Sequence, residues 1–502
     1  MTPCSTVQTN TVAGPDVGTT TLRNEPMSRN TSENGTDGNR IKRRKYLAAT
    51  AATGVSALAG CTGGDGGDGG DGGDGGDGGD GGGTTTTGMD GGDGASGSIP
   101  LASFCPLSGA GAAFGPGQQA GFNLAVMDIN DAGGVVSGRQ IDPINRDTET
   151  RASRATSKLQ TVISNNNIEA FVGTWSSGVA ASLAPIAADN QIMQMGNGTT
   201  SPTLAEQGWV ETGDGLLKYM GRTSPNDGAQ GIAMGRTLNE DIGADTAAFL
   251  HVDNPYGAGL ARKASQAFDG ETTAMVPVAQ QTSNYTSALD QAFADDPDVF
   301  GLIVYPANGE SILQQWNRGG YGGQLLMSES MFLPDLFNEL SSIVADSYIT
   351  TVRPNRDDAS YSYFTDEMNN TMNQEPTTFS SHSYDAAFLI GLAAHKAGEF
   401  TGTAIARNIQ SVSRPPGEEI NAGPDEFERA KGLLDEGTDI NYQGASSSAN
   451  LNCFVEPYNR FSINRLEGSG SSINVNELST IPAEFFEGKL YTDEQLSTYD
   501  CN

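Results

Sequence analysis

Residues 170–195 read AFVGTWSSGVAASLAPIAADNQIMQM, and this stretch carries the pattern that decides the fold. A short apolar strand over 170–173 is followed by a turn, a helix over 179–189 and a second apolar strand over 191–195. A strand, a helix and a strand joined by short turns form a unit whose two strands run parallel, with the helix against one face of the sheet. The stretch therefore predicts an α/β fold built on a parallel sheet.

The same alternation extends in both directions along the chain. Upstream, the pattern predicts strands over 99–105 and 140–146 and helices over 118–130 and 152–164. After Gly221 it restarts, with helices over 229–238, 259–268, 285–293 and 311–317 and strands over 246–252, 273–278, 299–304 and 324–327. The roughly 400 residues from Ile99 onward are too many for one simple core, so two runs predict two doubly wound lobes. Ligands of such folds bind outside the carboxyl ends of the strands, and a cleft between two lobes is the expected site.

The first segments of the chain indicate a targeting signal rather than a folded domain. Residues 1–39 are polar and turn-rich, which indicates disorder or a misassigned start. Residues 40–60 combine a basic cluster, a short apolar run and small residues, as a secretory signal does. The pair Arg43-Arg44 resembles a twin-arginine signal, and 58–61, Leu-Ala-Gly-Cys, resembles a lipobox in which Cys61 is lipidated. We therefore expect a lipid-anchored protein on the extracytoplasmic face of the cell membrane.

Residues 61–98 have a linker composition. They are nearly all Gly, Asp and Thr and include six Asp-Gly-Gly units between Asp65 and Asp80. A segment with nothing to bury stays disordered. Calcium-binding repeats also carry packing apolar residues, which this segment lacks. We predict a flexible tether and no metal site.

The overall charge limits the possible partners. The chain has 61 acidic and 28 basic residues, a formal net charge of −33. Such a charge argues against nucleic acid as a partner, since the phosphate backbone would be repelled. It is typical of adaptation to high salt, where screening removes self-repulsion, and the even spread of the acids favours this over a docking face for a cationic partner. The composition and the lipobox together predict a halophilic lipoprotein.

Three cysteines lie in the part of the chain that is expected to fold. Cys105 sits in an apolar strand and is predicted to be a buried thiol. Cys453 and Cys501 could form a disulfide that ties down the C-terminal tail, in an oxidising compartment. Three cysteines cannot all pair, and sequence alone does not settle the connectivity.

Several motifs in order along the chain resemble the branched-chain amino acid binding protein family of ABC importers. They are CPLSG at 105–109, FVGTWSSG at 171–178, GTTSP at 198–202, DNPYGAGLA at 253–261 and NYQGAS at 441–446. The resemblance covers about 99–465. It implies a type I periplasmic-binding-protein fold with three crossovers between the lobes. Its implied boundaries are 99–221 plus 352–452 for the first lobe, and 222–351 plus 453–502 for the second lobe and a C-terminal extension.

The chemistry of the residues and the resemblance together predict the ligand site. Ser176 and Ser177 precede a helix, where hydroxyls and free N–H groups bind an anion, although serines there also serve as plain helix caps. The resemblance places the α-carboxylate site at Ser177 and Thr200, with Gly198 offering backbone groups, and Thr199 between them is a further candidate. It also implies that Tyr256 closes over the ligand, that Glu329 holds the α-ammonium group, and that Phe114 and Trp175 contact the ligand side chain, with plain core packing as the alternative for these two rings. The position of Tyr305, Ala307 and Asn308 at the end of a second-lobe strand predicts that they line the cleft.

The resulting prediction is a monomeric solute-binding lipoprotein that needs no cofactor. It binds a branched-chain or other aliphatic amino acid and delivers it to the permease subunits of an ABC importer. An importer component for amides or urea and a ligand-sensing lipoprotein for a separate receptor are the alternatives. An enzyme is not expected, because no hydrolase, metalloprotease or phosphate-binding motif occurs and the three histidines, His251, His382 and His395, are widely spaced.

Overall fold

A computed structural model describes residues 97–469 and 472–501. The expected signal, Cys61 with its expected lipid and residues 61–96 of the expected linker lie outside the described residues. The elements up to the first crossover are β1 (Ile99–Cys105), α1 (Gly115–Asp131), β2 (Ile141–Asp147), α2 (Ala152–Asn166), β3 (Ala170–Gly173), α3 (Ser177–Asp189), β4 (Met193–Gly196), β5 (Trp209–Thr212), β6 (Gly215–Lys218) and β7 (Met220–Arg222).

A second run of elements follows. It comprises α4 (Asp227–Arg236), β8 (Thr246–Val252), α5 (Pro255–Ala267), β9 (Glu271–Val278), α6 (Thr286–Ala292), β10 (Val299–Ile303), α7 (Pro306–Gly319), β11 (Gln324–Met327), α8 (Pro334–Glu339), α9 (Ser341–Val344) and β12 (Tyr348–Val352). The remaining elements are α10 (Ala359–Asn370), α11 (Ser380–Ala397), α12 (Gly402–Asn408), β13 (Glu418–Ile420), α13 (Pro424–Asp435), β14 (Ile440–Tyr442), β15 (Phe461–Ser469), β16 (Ser472–Ile481) and α14 (Asp493–Thr498).

Two large sheets organise the chain into two lobes. The first lobe holds a five-stranded parallel sheet in the order β2-β1-β3-β4-β7. The second lobe holds a seven-stranded sheet in the order β16-β15-β12-β11-β10-β8-β9, in which β15 and β16 run antiparallel to their neighbours. Helices cover both faces of these sheets, as the alternating sequence pattern predicts, and the predicted type I fold is confirmed.

Alternation within β1 shows how the first lobe is built. Ile99 and Leu101 pack with α1 and α11 on one face of the sheet, whereas Ala102 and Phe104 pack with α2 and α3 on the other. A strand buried on both faces needs apolar residues at successive positions, which explains the continuous apolar run in the sequence. Phe114 and Trp175 follow the carboxyl ends of β1 and β3. Both side chains pack into the apolar core of the second lobe.

The chain passes between the lobes three times. The passages follow β7 at Arg222, β12 at Val352 and β14 at Tyr442. All three lie beside each other, since Arg222 in the first passage contacts Glu456 in the third, and Arg353 in the second donates its backbone N–H to the backbone oxygen of Arg460.

The C-terminal region, beyond the stretch that resembles the family, continues the second lobe. Strands β15 and β16 form a hairpin that extends the second sheet, and Phe486 is buried in the second-lobe core. Beyond it, Tyr499 stacks on Trp209 of the first lobe with ring centroids 4.8 Å apart. A disulfide joins Cys453 to Cys501, and Cys105 is a buried free thiol.

Candidate ligand-binding cleft

Ser177 links two loops at the carboxyl edge of the first sheet. It is the first residue of α3, and its Oγ accepts hydrogen bonds from the backbone N–H groups of Thr200 and Ser201, both at 3.1 Å. With its lone pairs engaged in this way, the hydroxyl retains one hydrogen to donate. Ser177 therefore both fixes the 199–201 loop and offers a donor to an anionic group.

Ser176 does not act as a helix cap. It occupies the N-cap position of α3, but its side chain forms no capping hydrogen bond. Its hydroxyl instead lies 3.0 Å from the Tyr305 hydroxyl in the second lobe. The capping alternative therefore does not account for this serine, whose side chain spans the cleft.

The 198–200 loop presents two buried hydroxyls. The Oγ1 atoms of Thr199 and Thr200 are buried and have no hydrogen-bond partner within the described residues. The loop backbone is held by Arg222, whose Nη1 donates to the backbone oxygens of Thr199 at 2.9 Å and Ser201 at 2.8 Å. Unpartnered buried hydroxyls carry a desolvation cost that a ligand can remove.

Glu329 is the buried acid of the second lobe. It follows β11, is 3% exposed and accepts a hydrogen bond of 3.1 Å from the Tyr256 hydroxyl. Ser328 and Ser330 surround the same hydroxyl at 2.9 and 2.7 Å. Burial raises the pKa of Glu329 to about 7, against the opposing effect of hydrogen bonds from Gln230 and Tyr256.

Asp227 is a site residue that sequence reasoning missed. It is the first residue of α4 and is 0% exposed, and its backbone N–H donates to the backbone oxygen of Thr200 at 2.8 Å. Burial, followed by the charge of Glu329, raises its pKa well above the usual range, while nearby Thr200 and Arg222 oppose that shift. An acid in the first turn of a helix is ordinarily a response to the helix dipole, so its sequence position gave no distinct signal.

The two acids lie close together and neither forms a salt bridge within the described residues. Their charges act on each other. Two carboxylates at one buried place favour either protonation or a cationic guest. The first-lobe side of the cleft offers hydroxyl donors, and the second-lobe side offers acceptors.

The predicted aromatic residues form a continuous row across the cleft. Phe114 stacks on Trp175 with centroids 5.3 Å apart, Trp175 lies 4.6 Å from Tyr305, and Tyr305 stacks on Tyr256 at 5.8 Å. All four are buried. Gly198 packs under Trp175, since a Cβ there would lie 2.7 Å from the indole ring.

Two residues predicted to lie near the site do not join it. Asn308 uses its side-chain amide on the backbone oxygen of Gln280 at 3.0 Å and on the Tyr285 hydroxyl at 2.6 Å. Ala307 is exposed. The reason is Pro306, which starts α7 and turns the following residues into the helix.

A buried ion pair supports the cleft from behind. Arg222 contacts Glu456, and both side chains are 2% exposed. Glu456 also accepts hydrogen bonds from Asn226 at 2.7 Å and from Tyr491. This cluster connects the first and third passages to the 199–201 loop, because the same arginine donates to that loop.

A cavity of about 270 Å³ lies beside the predicted site. Its lining includes Arg353, Arg356, Phe379 and His382, and omits Ser177 and Glu329. Burial lowers the pKa of His382 to about 3, so its imidazole stays neutral. Arg353 pairs with Glu477. The cavity is therefore distinct from the cluster of hydroxyls and carboxylates described above.

Two features bear on the class of protein. The described residues contain no helix long and apolar enough to cross a membrane. Among them the three histidines are dispersed, with His251 bonded to the backbone of Val252 and His395 to Asp435.

Comparisons with known proteins identify the family and the fold of this chain. Residues 98–432 match the periplasmic binding protein family. The chemotactic signal transduction system substrate-binding protein BasB of Halobacterium salinarum is 31% identical over 381 residues, covering 74% of this chain and 88% of BasB.

Solved structures share the fold. The leucine-binding protein LivK of Thermotoga maritima superposes with a TM-score of 0.63 at 18% identity, covering 77% of this chain and 99% of LivK. The branched-chain amino acid transporter substrate-binding protein LivJ of Streptococcus pneumoniae, in complex with isoleucine, gives a TM-score of 0.60 at 18% identity, covering 76% of this chain and 99% of LivJ. The chain therefore belongs to the periplasmic binding protein family, and the relatives named above are solute-binding proteins and not enzymes.

Proposed function

We propose that this protein captures an aliphatic α-amino acid and delivers it to an ABC importer. The observation that carries the proposal is the opposition of two sets of polar groups. The unpartnered hydroxyl of Thr199 and the free hydrogen of Ser177 lie on the first-lobe side, and the buried acid Glu329 lies on the second-lobe side. Asp227 lies where the two sides meet, because its backbone N–H donates to the backbone oxygen of Thr200 at 2.8 Å and its charge acts on Glu329. A zwitterion satisfies both sets at once.

In this proposal each lobe holds one end of the ligand. Ser177 and Thr200 donate to the α-carboxylate, and Glu329, assisted by Asp227, accepts from the α-ammonium group. Hydrogen bonds to charged groups are stronger than neutral ones. Because the two clamps sit on different lobes, the ligand stabilises the closed arrangement and thereby signals its presence to a partner.

The row of rings provides the apolar part of the site. An aliphatic amino acid has about nine heavy atoms, for which the best-case binding free energy is about 13 kcal/mol. Micromolar affinity needs only about 8 kcal/mol. Two charged clamps and a modest apolar contact therefore suffice.

A second function has specific support. BasB, which shares 31% identity with this chain, is described as a component of a chemotactic signal transduction system. The same closed, ligand-bound state could be presented to a chemoreceptor rather than a permease. Deletion of the gene separates the two: loss of uptake of labelled amino acid supports import, and retained uptake with lost chemotaxis supports signalling.

An amide or urea ligand is less favoured by the cleft. A neutral amide has no group that compensates two buried carboxylates. Glu329 is buried against Tyr256 and faces the same place as Asp227. An amide would therefore leave one or both acids protonated.

We also propose that the mature chain is anchored through a lipid on Cys61 and exported through the twin-arginine pathway. The support is the sequence alone, Arg43-Arg44 followed by Leu-Ala-Gly-Cys at 58–61. Substitution Cys61→Ser should move the protein from the membrane fraction to the medium. Retention of the variant in washed membranes would contradict the anchor.

The ligand proposal is tested by a thermal-shift screen of the full chain in molar salt against the twenty amino acids, urea and short amides. A ligand at about 100 times its dissociation constant adds about 2.7 kcal/mol to the free energy of unfolding. A shift with amino acids alone supports the zwitterion clamp. A shift with amides alone discards the ammonium role of Glu329.

A further inference from the structure

The row of rings in the cleft crosses from one lobe to the other without a gap. Phe114 and Trp175 come from the first lobe, and Tyr305 and Tyr256 come from the second. The centroid of Trp175 lies 4.6 Å from that of Tyr305, which is direct ring contact. The space that would receive a bulky ligand side chain is thus already occupied by protein.

Trp175 is held in this position by two glycines. A Cβ at Gly111 would lie 2.4 Å from the indole ring, and a Cβ at Gly198 would lie 2.7 Å from it. The indole therefore fits against backbone on two sides, and Phe114 stacks at a third. Backbone cannot yield as a side chain can, so the ring has little freedom to withdraw from the cleft.

Tyr305 is held on the opposite side by hydrogen bonds. Its hydroxyl lies 3.0 Å from that of Ser176 and accepts a hydrogen bond of 2.9 Å from the Asn254 amide. Asn254 is itself fixed as the N-cap of α5, where its Oδ1 accepts from the Gly257 N–H. Moving Tyr305 away from Trp175 would break buried hydrogen bonds.

We propose that Trp175 sets an upper limit on the size of the ligand side chain, so that the preferred ligands are the small α-amino acids glycine and alanine rather than leucine, isoleucine or valine. The proposal rests on the function proposed above and narrows it. The groups that bind the α-carboxylate and the α-ammonium recognise the part common to all α-amino acids. The rings of Trp175 and Tyr305 limit the size of the side chain. Trp175 is then the residue that determines specificity.

The expected discrimination follows from the rigidity of the rings. One methylene in a well-packed pocket changes specificity by about 10- to 200-fold. Leucine carries three more carbons than alanine, so we expect the full chain to bind alanine at least about tenfold more tightly than leucine.

The test compares the full chain with Trp175→Leu, using titration calorimetry in molar salt with glycine, alanine, valine and leucine. Trp175→Leu removes the indole and should reverse the preference, raising leucine affinity by about tenfold or more. Trp316→Leu is the matched control, since Trp316 lies near the C-terminal end of α7, where it bonds to Gly322. This control should keep the preference of the parent chain.

Each outcome decides a different claim. Leucine binding to the parent chain as tightly as alanine overturns the size limit and leaves the amino acid function standing. A Trp175→Leu chain that folds, as judged by its melting temperature, but keeps the parent preference shows that another residue sets the limit. Failure of the parent chain to bind any amino acid overturns the proposed function and this inference together. If Trp175→Leu fails to fold, the preference of the parent chain alone decides the size limit.

Discussion

At the scale of single residues, the cleft contains two buried acids that form no salt bridge within the described residues. Glu329 follows a strand of the second lobe, and Asp227 opens its first helix. Leaving such groups uncompensated is costly for a folded protein. Selection tolerates costs of this kind mainly at functional sites, because a ligand removes them.

Substitution of Glu329 tests its proposed role in binding the α-ammonium group of the ligand. Glu329→Gln keeps the shape and an acceptor for Tyr256 but removes the charge. We expect the affinity for the preferred amino acid to weaken by about 1.5–3 kcal/mol. Glu310→Gln, an exposed acid on α7, is the control and should leave the affinity unchanged. Equal affinities for both variants would remove Glu329 from the site.

The raised pKa of Glu329 makes binding depend on pH. Only the ionised acid accepts the ammonium group, and in the free protein its pKa is about 7. Below that pH the ligand must displace a proton, so we expect affinity to fall by up to about tenfold per pH unit. Calorimetry at pH 6 in two buffers of different ionisation enthalpy should detect proton release. Binding that is independent of the buffer would contradict this.

The same group affects the stability of the ligand-free protein. The pKa of Glu329 rises from 4.5 to about 7 on folding, so the folded state binds the proton more tightly. Its favourable contribution is complete below pH 4.5 and is lost as the pH rises through about 7. Urea unfolding at pH 5 and pH 8 should show a smaller pH-dependent loss for Glu329→Gln than for the parent chain. Identical losses would contradict this linkage.

At the scale of elements, the three passages between the lobes are connected by polar contacts rather than by apolar packing alone. Arg222 at the end of β7 pairs with Glu456 of the third passage and also positions the 199–201 loop. The same side chain, that of Arg222, therefore contacts both the third passage and the 199–201 loop. A substitution in the ion pair should therefore alter both the passages between the lobes and the 199–201 loop.

Substituting one residue of the buried ion pair should lower the free energy of unfolding more than substituting both residues by apolar ones. Glu456→Gln leaves the Arg222 charge uncompensated, and we expect the free energy of unfolding to fall by about 3–5 kcal/mol. The double variant Arg222→Met with Glu456→Leu should be less destabilised than the single variant, because no buried charge remains. Urea unfolding at constant salt measures both. A single variant within 1 kcal/mol of the parent, a threshold set by the ~1 kcal/mol ceiling of exposed pairs, would contradict the prediction.

The C-terminal tail is attached by a covalent link and by ring stacking. Cys453 and Cys501 are 48 residues apart in sequence. In the chain-entropy model a loop of that size contributes about 4 kcal/mol to stability. We expect Cys501→Ser to lower the free energy of unfolding by up to that amount, while Cys453→Ser with Cys501→Ser gives the same loss as the single variant. No loss on substitution, or no effect of reductant on the parent chain, would contradict it.

At the scale of the whole molecule, the large negative charge makes stability depend on salt in our prediction. A formal net charge of −33 repels itself, and salt screens exposed charges over about 10 Å at 0.1 M. We expect the melting temperature to fall steadily as salt is diluted from molar to millimolar concentration. A melting temperature that does not change over this range would contradict adaptation to high salt.

The local pattern of the sequence was sufficient for much of the architecture. Residues 170–195 specify strand, helix and strand because the periods of apolar residues are set by the geometry of neighbouring positions. The restart after Gly221 specified the second lobe for the same reason. Ser177 and Glu329 could be proposed because the family resemblance places ligand-binding residues at these two positions, and each follows a strand, where the carboxyl ends of a parallel sheet gather binding residues.

Only the tertiary structure decided which side chains meet. Asp227 looked like an ordinary first-turn acid until the fold buried it beside Glu329, about 100 positions away in the printed sequence. Likewise, the contact of Trp175 with Tyr305 and the pairing of Arg222 with Glu456 join segments from different lobes or passages. Periodicity records the environment of a residue but not the identity of its distant neighbours, so the sequence by itself determined the elements and the class, and the packing of the two lobes determined the site.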